Sequence, residues 1–338
     1  MRHSVLGFNG WRSWPRLRKK GQPKRGVMSW QHGNNPLLLL GQKGQWDEVW
    51  STWASIVRLD AKDWRMYYTG RDRLGHLRIG LAFSEDGITW EKSRGNPILD
   101  IGPPNSWDSL YAYGPIVWKA RTHWKMIFTG CDALDSSHYQ VGLAVSSDGV
   151  NWEKFEGNPV FEDHNPANIN RFGEHETEAW GLIKDGEENY LFYNPVSRKP
   201  RQIWIAHSKD LIAWKPISTS PVLPSAGFPW QLGYMKYCAW PFRHNEFTYL
   251  AASVSNVGYT KSRMGLWRIY GPLSSIKNTE FLGYLTDASS VWCEEEVDAP
   301  CILEDAGGNK LLCYYSGRSK SGEWTEGLVF FTLEESAF

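Results

Sequence analysis

The sequence predicts an all-β chain folded as a five-bladed β-propeller, with four-stranded antiparallel blades around a central channel. NPLLLLGQKGQWD, Asn35 to Asp47, returns as NPILDIGPPNSWD, Asn96 to Asp108, and Asn-Pro opens a further copy at Asn158, a step of 61 or 62 residues. Each unit holds short runs rich in Val, Ile, Tyr, Phe and Trp, separated by Gly, Asp, Asn and Pro clusters, and the runs alternate instead of following helical spacing. A repeat longer than about 40 residues with four short strands fits a blade, because blades bury their faces on one another. The 338 residues leave room for five.

The units stay in register along the chain. MYYTG (Met66 to Gly70) becomes MIFTG (Met126 to Gly130) and then LFYN (Leu191 to Asn194), while segments ending at Trp90, Trp152 and Trp214 repeat as IGLAFSEDGITW, VGLAVSSDGVNW and IWIAHSKDLIAW. Blurred copies follow in TYLAASVS with GLWRIYGPL, and in LLCYYSGRS with GLVFFTL. The strand before each of these, one hairpin back, is expected to line the channel: STWASIVRL from Ser51, YAYGPIVWK from Tyr111, ETEAWGLIK from Glu176, roughly MKYCAWPF from Met235, and EVDAPCIL from Glu296.

Residues 31–338 are read as the propeller and 1–30 as a basic N-terminal extension. Eight of the first 25 residues are Lys or Arg and none is acidic, and the stretch lacks the apolar run of a signal peptide or membrane span. It fits a flexible leader, a ring-closing strand near Ser4 to Trp14, or a polybasic surface anchor. Five cysteines without CxxC spacing argue against a disulfide framework and a zinc site, and point to a reducing, cytoplasmic setting. With 37 basic and 37 acidic residues, and no basic stripe beyond the extension, nucleic acid is not an expected partner.

Counting back from the hairpins puts Trp53, Tyr113, Glu178 and Asp298 at corresponding channel-facing positions, with Lys236 or Tyr237 in the fourth unit. Glu178 and Asp298 sit mid-strand among apolar residues, where an idle carboxylate would be costly to bury. Period-two neighbours add Glu176 beside the first, and Glu294 and Glu296 beside the second. Crowded carboxylates repel, which raises some of their pKa values and prepares an acid and a base, the equipment of glycoside hydrolysis. Acidic strand starts could also cap turns or hold calcium at the channel mouth, but no specific metal signature occurs and no cofactor is expected.

Most of the twenty tryptophans read as structural, with Trp46 and Trp107, Trp64 and Trp124, and Trp90, Trp152 and Trp214 recurring at fixed positions, as packing between blades requires; Trp53, Trp180, Trp230, Trp240 and Trp292 do not recur, and are candidates for stacking on a sugar face. Asp47 and Asp108, each following a Trp, read as structural because they repeat. Arg71 after YYTG, Arg198 after YNPVS and Arg318 after YYSG could bind a carboxylate or phosphate.

From about residue 30 the chain resembles the five-bladed propeller superfamily of glycoside hydrolases that includes families 43, 32 and 68. TEAWGLIKDGEENYLFYN is similar to the family 43 pattern in which a Glu supplies the general acid, and Glu178 falls on that Glu. The resemblance also implies a general-base Asp in the first inner strand and an acid-orienting Asp in the second. Trp53 and Ile116 stand at those positions instead. The arginines would suit a phosphorolytic reaction like that of family 130.

The expected activity is therefore glycosidase-like cleavage of a small carbohydrate or glycoside in the channel. Glu178 protonates the leaving oxygen, and Asp298 activates water or stabilises the oxocarbenium-like transition state. Trp53, Tyr113, Trp180 and Trp240 form the stacking walls, and Glu176, Glu296, Arg71 and Arg318 contact substrate. The alternatives are a non-catalytic glycan-binding propeller and a propeller recruited for non-hydrolytic chemistry such as cyclisation or isomerisation.

Overall fold

The computed structural model describes residues 26–33, 35–132, 138–165, 176–195, 201–217, 220–223, 234–256, 262–287, 292–305, 307–308 and 310–334. Among them the chain is almost entirely strand. After β1 (Gly26–Gln31) come β2 (Trp50–Arg58), β3 (Trp64–Arg71), β4 (Leu77–Ser84) and the short β5 (Glu91–Lys92), paired antiparallel in order. The pattern repeats as β6 (Tyr111–Lys119), β7 (Trp124–Cys131), β8 (Gln140–Ser146) and β9 (Glu153–Lys154), then as β10 (Thr177–Asp185), β11 (Glu188–Pro195), β12 (Trp204–Ser208) and β13 (Lys215–Pro216). A fourth meander runs β14 (Tyr234–His244), β15 (Phe247–Asn256), β16 (Ser262–Tyr270) and β17 (Asn278–Asp287). The last comprises β18 (Glu296–Glu304), β19 (Leu311–Arg318) and β20 (Trp324–Glu334), whose outer partner is β1 from the other end of the chain.

That pairing gives the N-terminal stretch a structural role from Gly26 onward. Asn35 reinforces it: its side-chain amide donates to the Leu328 carbonyl at 3.0 Å and its oxygen accepts the Leu328 N–H at 2.8 Å. Asn96 and Asn158 clamp Leu81 and Leu143 of their own meanders in the same way. The Asn35-Pro36 motif thus belongs spatially to the last meander, although it begins the first repeat in sequence. The expected closing strand near Ser4 to Trp14 lies outside the described residues, and the boundary drawn at residue 30 falls one residue before the end of β1.

Tryptophan packing explains much of the repeat. Trp46 lies over Gly70 and Gly80, where an added Cβ would come within 2.2 and 2.6 Å of its ring, and Trp107 covers Gly130 and Gly142 equally closely. Trp292 does the same over Gly317 and Gly327. It is therefore a packing residue and not the sugar-stacking candidate read from its apparently irregular position. The repeat was hidden because Cys293 follows it where Asp47 and Asp108 follow the others. Those two aspartates are buried pins: Lys92 and Lys154 reach them at 2.5 Å, and Tyr68 donates to Asp47 at 3.0 Å. Apolar clusters fill the spaces between meanders, from Ile116 and Leu191 in one to Cys293 and Phe331 in another.

The first strand of each meander carries an irregularity at equivalent places: after Thr52, Tyr113, Ala179, Tyr237 and Asp298. At four of them the bulged residue has positive φ, namely Trp53 (53°), Gly114 (62°), Cys238 (50°) and Ala299 (46°). The freed N–H is donated to a buried side chain of the preceding meander. Gly114 reaches Thr69 Oγ1 at 3.0 Å, Ala179 reaches Thr129 Oγ1 at 3.1 Å, Cys238 reaches Asn194 Oδ1 at 3.1 Å and Ala299 reaches Ser253 Oγ at 3.2 Å. Trp53 reaches Ser316 Oγ of the last meander at 2.9 Å. A bulge opens the ladder and leaves a donor that burial forbids to stay unpaired, so these joints are a condition of the inner strands having their shape.

Ser253→Ala is expected to lower the unfolding free energy by about 1–3 kcal/mol, because it leaves the buried Ala299 N–H without its acceptor. Thr122→Ala, at an exposed hairpin, should stay within about 0.5 kcal/mol of the parent. Urea denaturation of the two variants checks this, and equal effects would contradict it.

Candidate active site

The bulges turn side chains of the inner strands toward one cavity of about 290 Å³. From the inner strands come Trp50, Trp53, Tyr111, Tyr113, Glu178, Trp180, Tyr237, Cys238, Glu296 and Asp298. The beginnings of the third strands and the segments leading into them add Leu77, Tyr139, Arg201 and Trp324, and Arg71 comes from the end of β3. Rings dominate the wall, with Trp53 edge-on to Trp180 at 5.7 Å between centroids and tilted against Tyr113 at 5.4 Å.

Set among these rings are three carboxyls. Glu178 accepts from the Tyr113 hydroxyl at 2.5 Å on one oxygen and from the Arg201 guanidinium at 2.8 Å on the other. Asp298 accepts from the Trp53 indole N–H at 3.1 Å. Glu296 accepts from the Tyr237 hydroxyl at 2.8 Å and pairs with Arg318 at 3.3 Å. All three are nearly inaccessible to water. Burial, reinforced by the neighbouring Glu296, pushes the Asp298 carboxyl well above the usual carboxylate range despite the Trp53 donor and Arg201. Burial also raises Glu296, against the opposing donations from Tyr237 and Arg318. The arrangement offers a carboxyl whose proton affinity is raised, a second carboxyl held by a cation and a phenol, and apolar ring faces of the kind that accept sugars.

Of the residues expected to meet a ligand, Glu178, Asp298, Trp53, Tyr113, Trp180, Glu296 and Arg71 line this cavity, whereas Glu176, Trp240 and Arg318 do not. Trp240 falls beyond the β14 bulge and packs into the apolar clusters between meanders. Glu176 is buried just before β10. Arg318 acts on the cavity through Glu296. The alignment of Trp53 with Tyr113, Glu178 and Asp298 is also corrected. Arg58 pairs with Trp64 and Lys119 with Trp124, so the first hairpin is one residue longer, and counting back from it slips by one. Thr52 is the true equivalent, and Tyr237 is the one in the fourth meander; Trp53 reaches the cavity because it occupies the bulge. Ile116 lies in the apolar packing away from the cavity. Arg198 and Trp230 lie outside the described residues.

Arg201, Tyr139, Leu77 and Trp324 were missed by reading inner strands alone. A signal for them exists: each stands two residues before a matching position of the repeat, occupied by Ile203, Val141, Ile79 and Glu326. No group of three His, Cys, Asp or Glu side chains placed to hold a metal occurs among the described residues. No helix there is long and apolar enough to cross a membrane.

Because the Asp298 pKa is raised on folding, folded protein holds this proton more tightly than unfolded protein does. Its stabilising contribution is complete below the unfolded value of about 3.9 and is lost as pH rises through the folded value. Asp298→Asn keeps the acceptor for Trp53 and removes the charge. Its unfolding free energy relative to the parent should climb from pH ~4 upward by at most about 1.4 kcal/mol per pH unit until the folded value is passed. Urea denaturation across that range tests this; a difference independent of pH would contradict it.

Among known proteins, residues 47–228, more than half of the chain, match glycoside hydrolase family 130, described as β-1,4-mannooligosaccharide phosphorylase. An uncharacterized protein of Mycobacterium tuberculosis is 24% identical over 242 residues, 68% of this chain and 75% of its own length. A solved structure described as a glycoside hydrolase superposes with a TM-score of 0.65 at 14% identity, covering 83% of this chain and 86% of that one. A thermostable family-43 glycoside hydrolase does so at 0.60 and 14%, covering 90% and 93%. These structural likenesses show the β-propeller fold, and the family match establishes that the chain belongs to glycoside hydrolase family 130.

Proposed function

We propose that the five meanders are the blades of a closed five-bladed propeller and that its central cavity cleaves a glycosidic bond of a small carbohydrate. Contacts between inner strands in the order β2, β6, β10, β14, β18 and back to β2, with the Trp53 to Ser316 joint between first and last, support the ring. The observation that carries the activity is the buried Asp298, its carboxyl raised above the usual range by burial and Glu296, facing the same cavity as Glu178 with its Arg201 partner. A cavity of about 290 Å³ is at the small end for ligand sites, which suits one sugar ring held deeply with the remainder of the substrate outside.

In this reading Asp298 donates a proton to the leaving oxygen. Glu178 faces the oxocarbenium-like transition state, oriented by Tyr113 and Arg201. These roles reverse those suggested by the resemblance to family 43. Burial favours the reversal, since among the described residues Asp298 has no ion pair and Glu178 has one. Trp53 and Trp180 supply stacking faces. Arg71 lies over Trp50 at 4.6 Å, lines the cavity and has no carboxylate ion pair among the described residues, so its charge is available to an anion. That supports phosphate as the acceptor, in line with the description of the family, and a β-1,4-linked mannoside as the substrate.

The absence of aspartates at Trp53 and Ile116 favours a second reading, a binding propeller that returns its glycan intact, and leaves non-hydrolytic cyclisation or isomerisation as a third. Product release from a panel of furanosides, pyranosides and oligosaccharides, with and without phosphate, separates them. Asp298→Asn and Glu178→Gln should each lose at least roughly a hundredfold in kcat, the usual size of an acid–base contribution. Binding without turnover by the parent protein would refute the enzymatic reading.

A further inference from the structure

Each meander places one residue, near or just before the start of its third strand, at a matching position of the repeat. Four of these are apolar and fully buried: Ile79, Val141, Ile203 and Met264. Three of the four precede a glycine, in Ile-Gly-Leu, Val-Gly-Leu and Met-Gly-Leu, and the last meander reads Glu-Gly-Leu. The residue is Glu326, at 0% exposure. It pairs with Ser316 as Ile79 pairs with Thr69, Val141 with Thr129 and Met264 with Ser253. A carboxyl has replaced a hydrocarbon at a position where the fold works without one, at a desolvation cost of several kcal/mol if it were charged.

Its surroundings connect it to the site. Ser316 donates its hydroxyl to Glu326 Oε2 at 3.1 Å and accepts the Trp53 N–H at 2.9 Å. The Ala54 N–H is also directed at the Glu326 carboxyl. Equivalent positions in the second and fifth meanders are Pro115 and Pro300, which have no N–H to satisfy, so the repeat contains a cheaper solution for this atom. The Trp53 N–H of the bulge therefore ends on Ser316, which holds Glu326 Oε2, while the Ala54 N–H faces the same carboxyl, whose Oε1 is buried without a hydrogen-bond partner among the described residues. Trp53 is the bulkiest of the left-handed residues here, and its indole N–H is the donor to Asp298. Such a backbone conformation costs about 1–3 kcal/mol and persists only when its surroundings hold it.

We propose that Glu326 is a positioning residue for Asp298, acting through Ser316 and the Trp53-Ala54 bulge to aim the Trp53 indole N–H at the Asp298 carboxyl. The assignment rests on Asp298 as the proton donor of the proposed reaction. Glu326 itself does not line the cavity. The titratable groups facing it are Asp298, Cys301, Cys313 and Tyr314, and no ion pair to it occurs among the described residues. Burial foremost, with Asp298 adding to it, keeps the Glu326 carboxyl well above the usual range, so a neutral acid holds the joint.

The test compares Glu326→Ile, which installs the residue of the first and third meanders, with Glu326→Gln, which can still accept from Ser316. Two readings on ligand-free protein are taken: the indole N–H resonance of Trp53, and the midpoint of the Asp298 carboxyl-carbon titration. Glu326→Ile should move the Trp53 resonance and raise the Asp298 midpoint by about one pH unit, since the donor that favours the charged form is lost. Glu326→Gln should recover most of both. A folded Glu326→Ile protein with both readings unchanged would overturn the proposal. If that variant does not fold, Ser316→Ala interrupts the same relay with Glu326 in place, and unchanged readings there would overturn it equally. Because neither reading needs a substrate, failure of every glycoside to turn over would count against the proposed reaction and leave this result standing. An unmoved Asp298 in a protein that turns over sugar would sink the positioning role alone.

Discussion

The N–H released at each inner-strand bulge, donated across to a buried Thr, Asn or Ser of the preceding meander, is the interaction on which the rest of the structure depends. Five such bonds of 2.9 to 3.2 Å link each meander to the next and the last to the first. Individually each contributes about 1 kcal/mol. Their larger effect is geometric, because none can be made unless the strand bulges and none of the bulges can be buried unless the bond is made. The acceptors are fully inaccessible to water, so the donors have no solvent alternative.

The same bulges create the site. A regular strand would send alternate side chains inward; the extra residue lets neighbours such as Tyr113 and Glu178, or Trp53 and Asp298, converge from different meanders. Convergence then sets the chemistry. Three carboxyls brought into one dry, aromatic-walled space cannot all be charged without compensation, and two of the nearby arginines are already committed, Arg201 to Glu178 and Arg318 to Glu296. Asp298, whose one hydrogen-bond donor among the described residues is the Trp53 indole N–H, has its carboxyl pushed well above the usual carboxylate range by burial and by Glu296. Local backbone geometry, burial and proton affinity thus form one causal sequence, from a hydrogen bond at a joint to an acid in a cavity.

Much of this was legible in the sequence because it repeats. The spacing of Asn-Pro, Trp-Asp and Ser-x-Asp-Gly located the meanders, and mid-strand Glu178 and Asp298 stood out as carboxyls among apolar neighbours. Two kinds of error had physical origins. Hairpins of unequal length shifted the register of the first strand by one residue, so Trp53 was matched to Tyr113 when Thr52 is its equivalent. Packing residues whose motif had drifted, Trp292 before Cys293 and Trp240 beyond a bulge, looked irregular and therefore functional. Arg201 and Glu326 were overlooked for the opposite reason: one leads into a third strand and the other sits on one, where the repeat predicts packing, and each stands out only as a departure from it.

The most direct test of the central claim, that this cavity transfers a sugar from its glycosidic oxygen, is proton NMR of β-1,4-mannobiose incubated with the protein in phosphate and in phosphate-free buffer. The account predicts loss of the disaccharide anomeric signals, with a sugar 1-phosphate appearing in phosphate and none without it, and no change with Asp298→Asn. A disaccharide that binds, shown by broadening of its resonances, yet remains intact in both buffers with the parent protein would contradict it.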